Sequence, residues 1–240
     1  MLKFLCLALI FANSFSAASA APGLSLELGG TEGTSTGIQI LVLLTVLSVA
    51  PSILLMTTSF VRFVIVFGML RTAMGLGQLP PTQVLIGLSL ILTFVVMQPT
   101  FQEINDRALQ PLLNQEINEL QFIDEAKKPL RTFMFAQTSE AEIAMAIKVT
   151  GIEQPKTAED LPSQVLIMGF MLSELKKAFQ IGFMLFLPFV VIDMISATAL
   201  VSIGLMFLPP TTISMPFKII LFVLIDGWSI LSEGLVKGFN

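Results

Sequence analysis

Residues 172–193 read LSELKKAFQIGFMLFLPFVVID, a charged helical turn that runs straight into a membrane-grade apolar segment and ends on a carboxylate. Glu174, Lys176 and Lys177 lead, Pro188 interrupts, and Asp193 follows. A carboxylate at the centre of a lipid-facing helix costs about 2.5 to 3.5 kcal/mol even on the lenient insertion scale. The stretch is therefore read as a helix that faces protein or water along part of its length.

The whole chain sets the class. Its 240 residues are 54% hydrophobic and only 12% charged, with no His and no Tyr, which is far too apolar for an ordinary soluble domain. An all-α, multi-helix integral membrane protein is expected. Lys3 supplies a short positive region, Phe4 to Ala12 an apolar core and Ala18-Ser19-Ala20 a small-residue cleavage pattern, so residues 1–20 read as a secretory signal peptide. An uncleaved anchor is the alternative, set back by an apolar core that is short for a span. Cys6, the one cysteine, would leave with the signal.

Without His or a retained Cys there is no Ser-His-Asp triad, no thiol nucleophile and no usual zinc site, and neither a phosphate-binding loop nor a GxGxxG is found. No catalytic residue, cofactor, resident metal or nucleic-acid partner is expected. Carboxylates alone can still serve a proton relay or hold a hard cation.

Residues 21–37 form a Gly-, Ser- and Thr-rich linker. The apolar block from Ile38 to Leu70 is much longer than the roughly 20 residues of one span and contains Pro51, Thr57-Thr58-Ser59 and Arg62, so a break is expected inside it. Val84 to Met97 follows before Pro99; its helix of about 21 Å is too short to cross alone. Together residues 38–97 make a first membrane-type hairpin. Residues 98–164 form the hydrophilic region: an amphipathic helix from Glu103 to Leu120 with a break at Pro111, then a helix opened by a capping box of Ser139 and Glu142. From Ser163 a helix runs into the third apolar block, Pro209-Pro210 turns the chain, and Ile213 to Leu231 closes a second hairpin region over 165–240.

Arg62, Asp193, Lys218 and Asp226 are placed as charges at depth. For Arg62, Asp193 and Asp226 a structural ion pair or helix-end hydrogen bond is one reading, and a proton or ion pathway the other. The loop that opens with Arg71 has that one basic and no acidic residue, whereas residues 98–178 hold twelve acidic against eight basic. The positive-inside rule then gives an external acidic region, internal turns near 71–83 and 209–210, and external termini.

Several runs match one family. SELKKAFQIGF at Ser173 to Phe183 and LPFVVIDM at Leu187 to Met194 closely resemble the signature segments of the FliP family. TSFVRFVIVFGMLR at Thr58 to Arg71, PLRTFM at Pro129 to Met134 and LPPTTISMPFKIILFVLIDGW at Leu208 to Trp228 extend the resemblance nearly from Ile38 to the last residues. It implies a core subunit of the flagellar type III export gate in the bacterial inner membrane at the basal body. Such subunits form a ring, commonly with five copies of this chain type, with FliQ- and FliR-type subunits and other flagellar export membrane proteins. Unfolded proteins leave the cytoplasm through it, and the acidic region faces the periplasm.

By the same resemblance Phe133, Glu174 and Lys177 look like subunit contacts; Phe133 could equally be a core aromatic, and Glu174 a solvated helix face. The turn before Pro209 would form the pore constriction. The family carries a run of methionines there, a compliant gasket; this chain has Leu205, Met206 and Phe207, which would seal more by bulk, unless they serve ordinary helix-end packing. The alternative function is an ion-coupled transporter or proton-channel subunit. A membrane enzyme or sensor using the external region is a third class, and the missing His and Cys weigh against its enzyme form.

Overall fold

The computed structural model describes residues 55–153, 155, 157, 160–205 and 207–239, with 41, 44, 45, 48, 49, 52 and 53. The expected signal peptide, linker and Met206 lie outside the described residues. Two compact units are formed, Met1–Ala50 and Pro51–Asn240. In the first, the described residues are helical, and the Thr45 and Ser48 hydroxyls donate to the carbonyls of Leu41 and Leu44.

Every regular element among the described residues of the second unit is a helix. The polar run 57–59 is where the first apolar block breaks: Thr57 and Thr58 hydroxyls turn back onto the Ile53 and Leu55 carbonyls and compete with the helical ladder. Helix α1, Phe60–Ala73, starts beyond it. Gly75 takes a positive φ at its end, and Arg71 donates to Pro80 O and Thr82 Oγ1, tying down the loop that opens α2, Thr82–Ile104.

Helix α2 does not stop at Pro99. It runs on through a π-helical turn, Asn105–Leu109, into α3, Gln110–Leu113, giving 32 continuous residues, so the expectation of a segment too short to cross is corrected. Proline removes one rung of the ladder, but the bonds on either side of it hold the helix, and the π turn follows six residues on. The expected break at Pro111 falls instead at 114–118, where Gln115 has a positive φ.

Helix α4, Glu119–Gln137, begins with a reciprocal cap: Gln121 N–H donates to Asn118 Oδ1, and Asn118 N–H to Gln121 Oε1. Helix α5, Glu140–Thr150, ends on left-handed Gly151. Ser139 is its N-cap residue but makes no side-chain cap bond, because Glu142 is drawn to Lys176 and Ser139 N–H to Ser173 Oγ; the expected capping box does not form.

Helix α6, Ser163–Ser202, is 40 residues long, about 60 Å, and carries Pro188 within it. It is the axis of the unit, packing against α1, α4, α5 and the next helix. That helix, α7, Pro210–Leu224, opens on a proline whose missing N–H is needed by no helical bond. Helix α8, Gly227–Lys237, follows at a 63° bend. Only glycine fits at 227, since a Cβ there would collide with the Phe222 ring.

Two apolar cores result. One joins α1, α6, α7 and α8 through Phe63, Phe67, Leu70, Ala178, Phe222 and Leu235; the other joins α4, α5 and α6 through Met134, Ala146, Leu166 and Phe170. The stretch Thr82–Leu113 and α6 are each long and apolar enough to cross a membrane, and α7 with α8 makes a third if the bent pair is one broken span. The chain is an all-α membrane protein.

Candidate functional site

The polar residues of Ser173–Lys177 stitch α6 to three other elements. Ser173 Oγ donates to Gln137 O at 3.4 Å and accepts from Ser139 N–H at 3.1 Å. Lys177 Nζ donates to the same Gln137 carbonyl at 2.6 Å, a cation on the unpaired C-terminal carbonyls of α4 where the helix dipole favours it. Lys176 reaches Glu142 Oε1 at 2.8 Å. This bond holds the Glu142 carboxyl below its ordinary value of 4.5.

Glu174 points the other way, into the protein. Its Oε2 accepts from Arg62 Nε at 2.8 Å and its Oε1 from Arg62 Nη2 at 2.5 Å, with side chains only 0% and 2% exposed for Glu174 and Arg62. Arg62 sits in the first turn of α1, where the helix dipole opposes a cation, so the bidentate carboxylate is its necessary neutraliser. Arg62 Nη1 donates to Gly238 O at 3.0 Å, and Nη2 also approaches Gln137 Oε1 at 3.4 Å. Glu174, expected at a subunit contact or on a solvated helix face, is enclosed within its own protomer and so is not solvated: the buried guanidinium takes both carboxylate oxygens. Phe133 packs on both cores, edge-on to Phe170 at 5.9 Å and stacked with Phe239 at 6.1 Å.

A second pair lies further along α6. Lys218 Nζ, on α7, donates to Asp193 Oδ2 at 2.7 Å and to Ala73 O at the end of α1 at 3.1 Å, while Ser214 Oγ donates to Asp193 Oδ1. Lys218 is 4% exposed and Asp193 28%. Asp226, expected among the buried charges, is exposed: it occupies the bend between α7 and α8 in left-handed backbone, and its side chain makes no cap bond. Among the described residues no group of three carboxylates converges to hold a metal ion.

Between the hairpin arms, α6 ends in a Schellman stop. Gly204 takes φ +79, its N–H bonds Val201 O, and Leu205 N–H bonds Leu200 O. Leu205 is then partly buried, whereas Phe207 is 79% exposed just before Pro209-Pro210. Sequence reasoning missed Gln137, Ser173, Ser214 and Phe239. Ser173 was within reach, since it and Lys177, four apart, share a helix face; Gln137 and Phe239 carry no local signal.

The sequence profile of the FliP family matches residues 43–235. The chain belongs to the FliP family. It is 47% identical over 226 residues to the flagellar biosynthetic protein FliP of Caulobacter vibrioides, covering 94% of this chain and 85% of that one. It is 46% identical over 208 residues to the Bacillus subtilis protein of the same name, covering 87% and 94%. With that of Borreliella burgdorferi the identity is 43% over 216 residues, covering 89% and 85%. The matched range includes the SELKK turn, LPFVVIDM and the Pro-Pro turn.

Proposed function

We propose that this chain is a core subunit of the flagellar protein export gate, which assembles with copies of itself and with FliQ- and FliR-type subunits into a ring through which unfolded flagellar proteins cross the inner membrane. The observation that carries the reading is the loop between α6 and α7. Phe207, a large aromatic, stands 79% exposed there, at the tip of a hairpin whose two arms are locked to each other by Asp193, Ser214 and Lys218. Exposed apolar side chains on a rigidly held tip suit an axis where symmetry repeats them. A ring of such side chains blocks ions by dewetting and yields to a polypeptide.

Leu205, Met206 and Phe207 are assigned to this constriction. The exposed apolar row of Phe179, Phe183, Met184 and Leu187 on α6 then faces neighbouring subunits or lipid. Lys177 and Phe133 serve mainly to fasten the outward region, residues 98–164, to α6. Replacing Leu205, Met206 and Phe207 together by Gly or Ser should leave the complex assembled, by native mass measurement, while cells leak ions. An assembled triple variant with a tight membrane and unchanged export would remove these residues from the seal.

A further inference from the structure

The Arg62–Glu174 pair is closed from one side by two residues that follow α8. Gly238 and Phe239 continue the helix as a turn, with Gly238 N–H on Gly234 O and Phe239 N–H on Val236 O. Gly238 O then accepts from Arg62 Nη1 at 3.0 Å, and Phe239 O accepts from Gln137 Nε2 at 3.0 Å. The Phe239 ring lies against the guanidinium, with Arg62 Cζ 3.5 Å from its centroid, and sits between Phe63, tilted at 5.7 Å, and Phe133, stacked at 6.1 Å. Four helices meet here: α1 through Arg62 and Phe63, α4 through Phe133 and Gln137, α6 through Glu174, and α8 through its tail.

We propose that Gly238 and Phe239 form a closable strap. Seated, the strap completes the enclosure of the Arg62–Glu174 pair and fixes α8 to α4. Lifted, it admits water to the pair and frees the α7–α8 arm from the outward region without unfolding any helix. The physical case rests on what each bond is made of. The ion pair itself needs only α1 and α6, so it survives when the strap leaves. The strap is held by two hydrogen bonds to backbone carbonyls and one ring in a slot between Phe63 and Phe133, contacts that two residues can surrender together. A cation facing an aromatic ring away from water is well stabilised, and the contact weakens sharply once water enters. The strap is a property of the single protomer and does not depend on the export reading.

The test uses the full chain with Cys6→Ala and a reporter thiol, Ser59→Cys. Ser59 is wholly buried three residues before Arg62, with no hydrogen-bond partner for its hydroxyl, so a thiol is tolerated there. Maleimide labelling of the detergent-extracted protein should be slow in this parent. Phe239→Ala should raise the labelling rate on the order of tenfold, and Phe239→Leu, which keeps the apolar bulk but not the ring, by less. Gln137→Leu should also raise it, while leaving the Gln137 carbonyl to Ser173 and Lys177. If Phe239→Ala fails to accumulate, the two milder variants decide the matter. Labelling within about twofold of the parent in the variants that accumulate overturns the strap.

Discussion

Arg62–Glu174 and Lys218–Asp193 are both ion pairs inside an apolar protein, yet they are built in different ways. The first uses a planar guanidinium whose donors are met by both oxygens of one carboxylate, by Gly238 O and by Gln137, and almost none of it sees solvent. The second uses a point-charge ammonium with one carboxylate oxygen and one carbonyl, a serine holds the other oxygen, and Asp193 keeps 28% of its surface. Full enclosure demands that the charge be paired and most of its donors be matched, because an unpaired buried charge has no water to fall back on. Partial exposure relaxes that demand. The enclosed pair therefore fixes four helices in one arrangement, while the open pair fixes two hairpin arms and leaves its carboxylate within reach of its surroundings.

The comparison breaks most readily at Glu174. Glu174→Ala leaves a guanidinium buried without its counter-charge, at about 3 to 5 kcal/mol, so folded protein should be nearly absent from membranes on quantitative blotting. Replacing Arg62 and Glu174 together by Leu should recover much of the yield; equal loss in the single and double variants would show that charge pairing is not the cause. Arg62→Lys keeps the charge but cannot present the same planar fork to Glu174, Gly238 and Gln137, and should cost about 2 to 3 kcal/mol in detergent unfolding experiments. Asp193→Ala should cost less, about 1 to 2 kcal/mol, because water can partly replace the carboxylate at Lys218. Assembly should fall with stability in that variant; normal assembly with lost export would give Asp193 a role in coupling to ions.

The smallest effect belongs to the Lys176–Glu142 arm of the same motif, where Lys176 is exposed. The Glu142 carboxyl is held below 4.5 by Lys176, so this contact contributes fully above that pH and is lost as pH falls through the lower folded value. Thermal unfolding between pH 6 and about 3 should show a slightly shallower acid loss in Glu142→Gln than in the parent. An identical slope would mean that the bond to Lys176 contributes nothing measurable.

Much of this was legible residue by residue. The polar run at 57–59 marked the break before α1, the Pro-Pro pair marked the start of α7, and Arg62, Lys218 and Asp193 stood out as charges that lipid would not accept. Pro99 misled, because a proline removes one rung of the ladder without ending a helix whose neighbouring bonds persist. Ser139 and Glu142 misled in another way: both had the right spacing for a local cap, but α6 offered Ser173 and Lys176 instead. Asp226 looked like its neighbours in the sequence and turned out to sit on an exposed bend in left-handed backbone.

What the sequence by itself determined is the class of the molecule and the family, since hydropathy and an ordered series of motifs are properties of the chain read along its length. It also determined which charges needed partners. Only the tertiary structure decided who those partners are, because Arg62 and Glu174 lie 112 positions apart, and Arg62 and Gly238 176 apart. No local spacing encodes such meetings. They follow from how α6 gathers α1, α4, α5 and α7 around itself, and a buried charge can be matched only after that packing has brought its partner within reach.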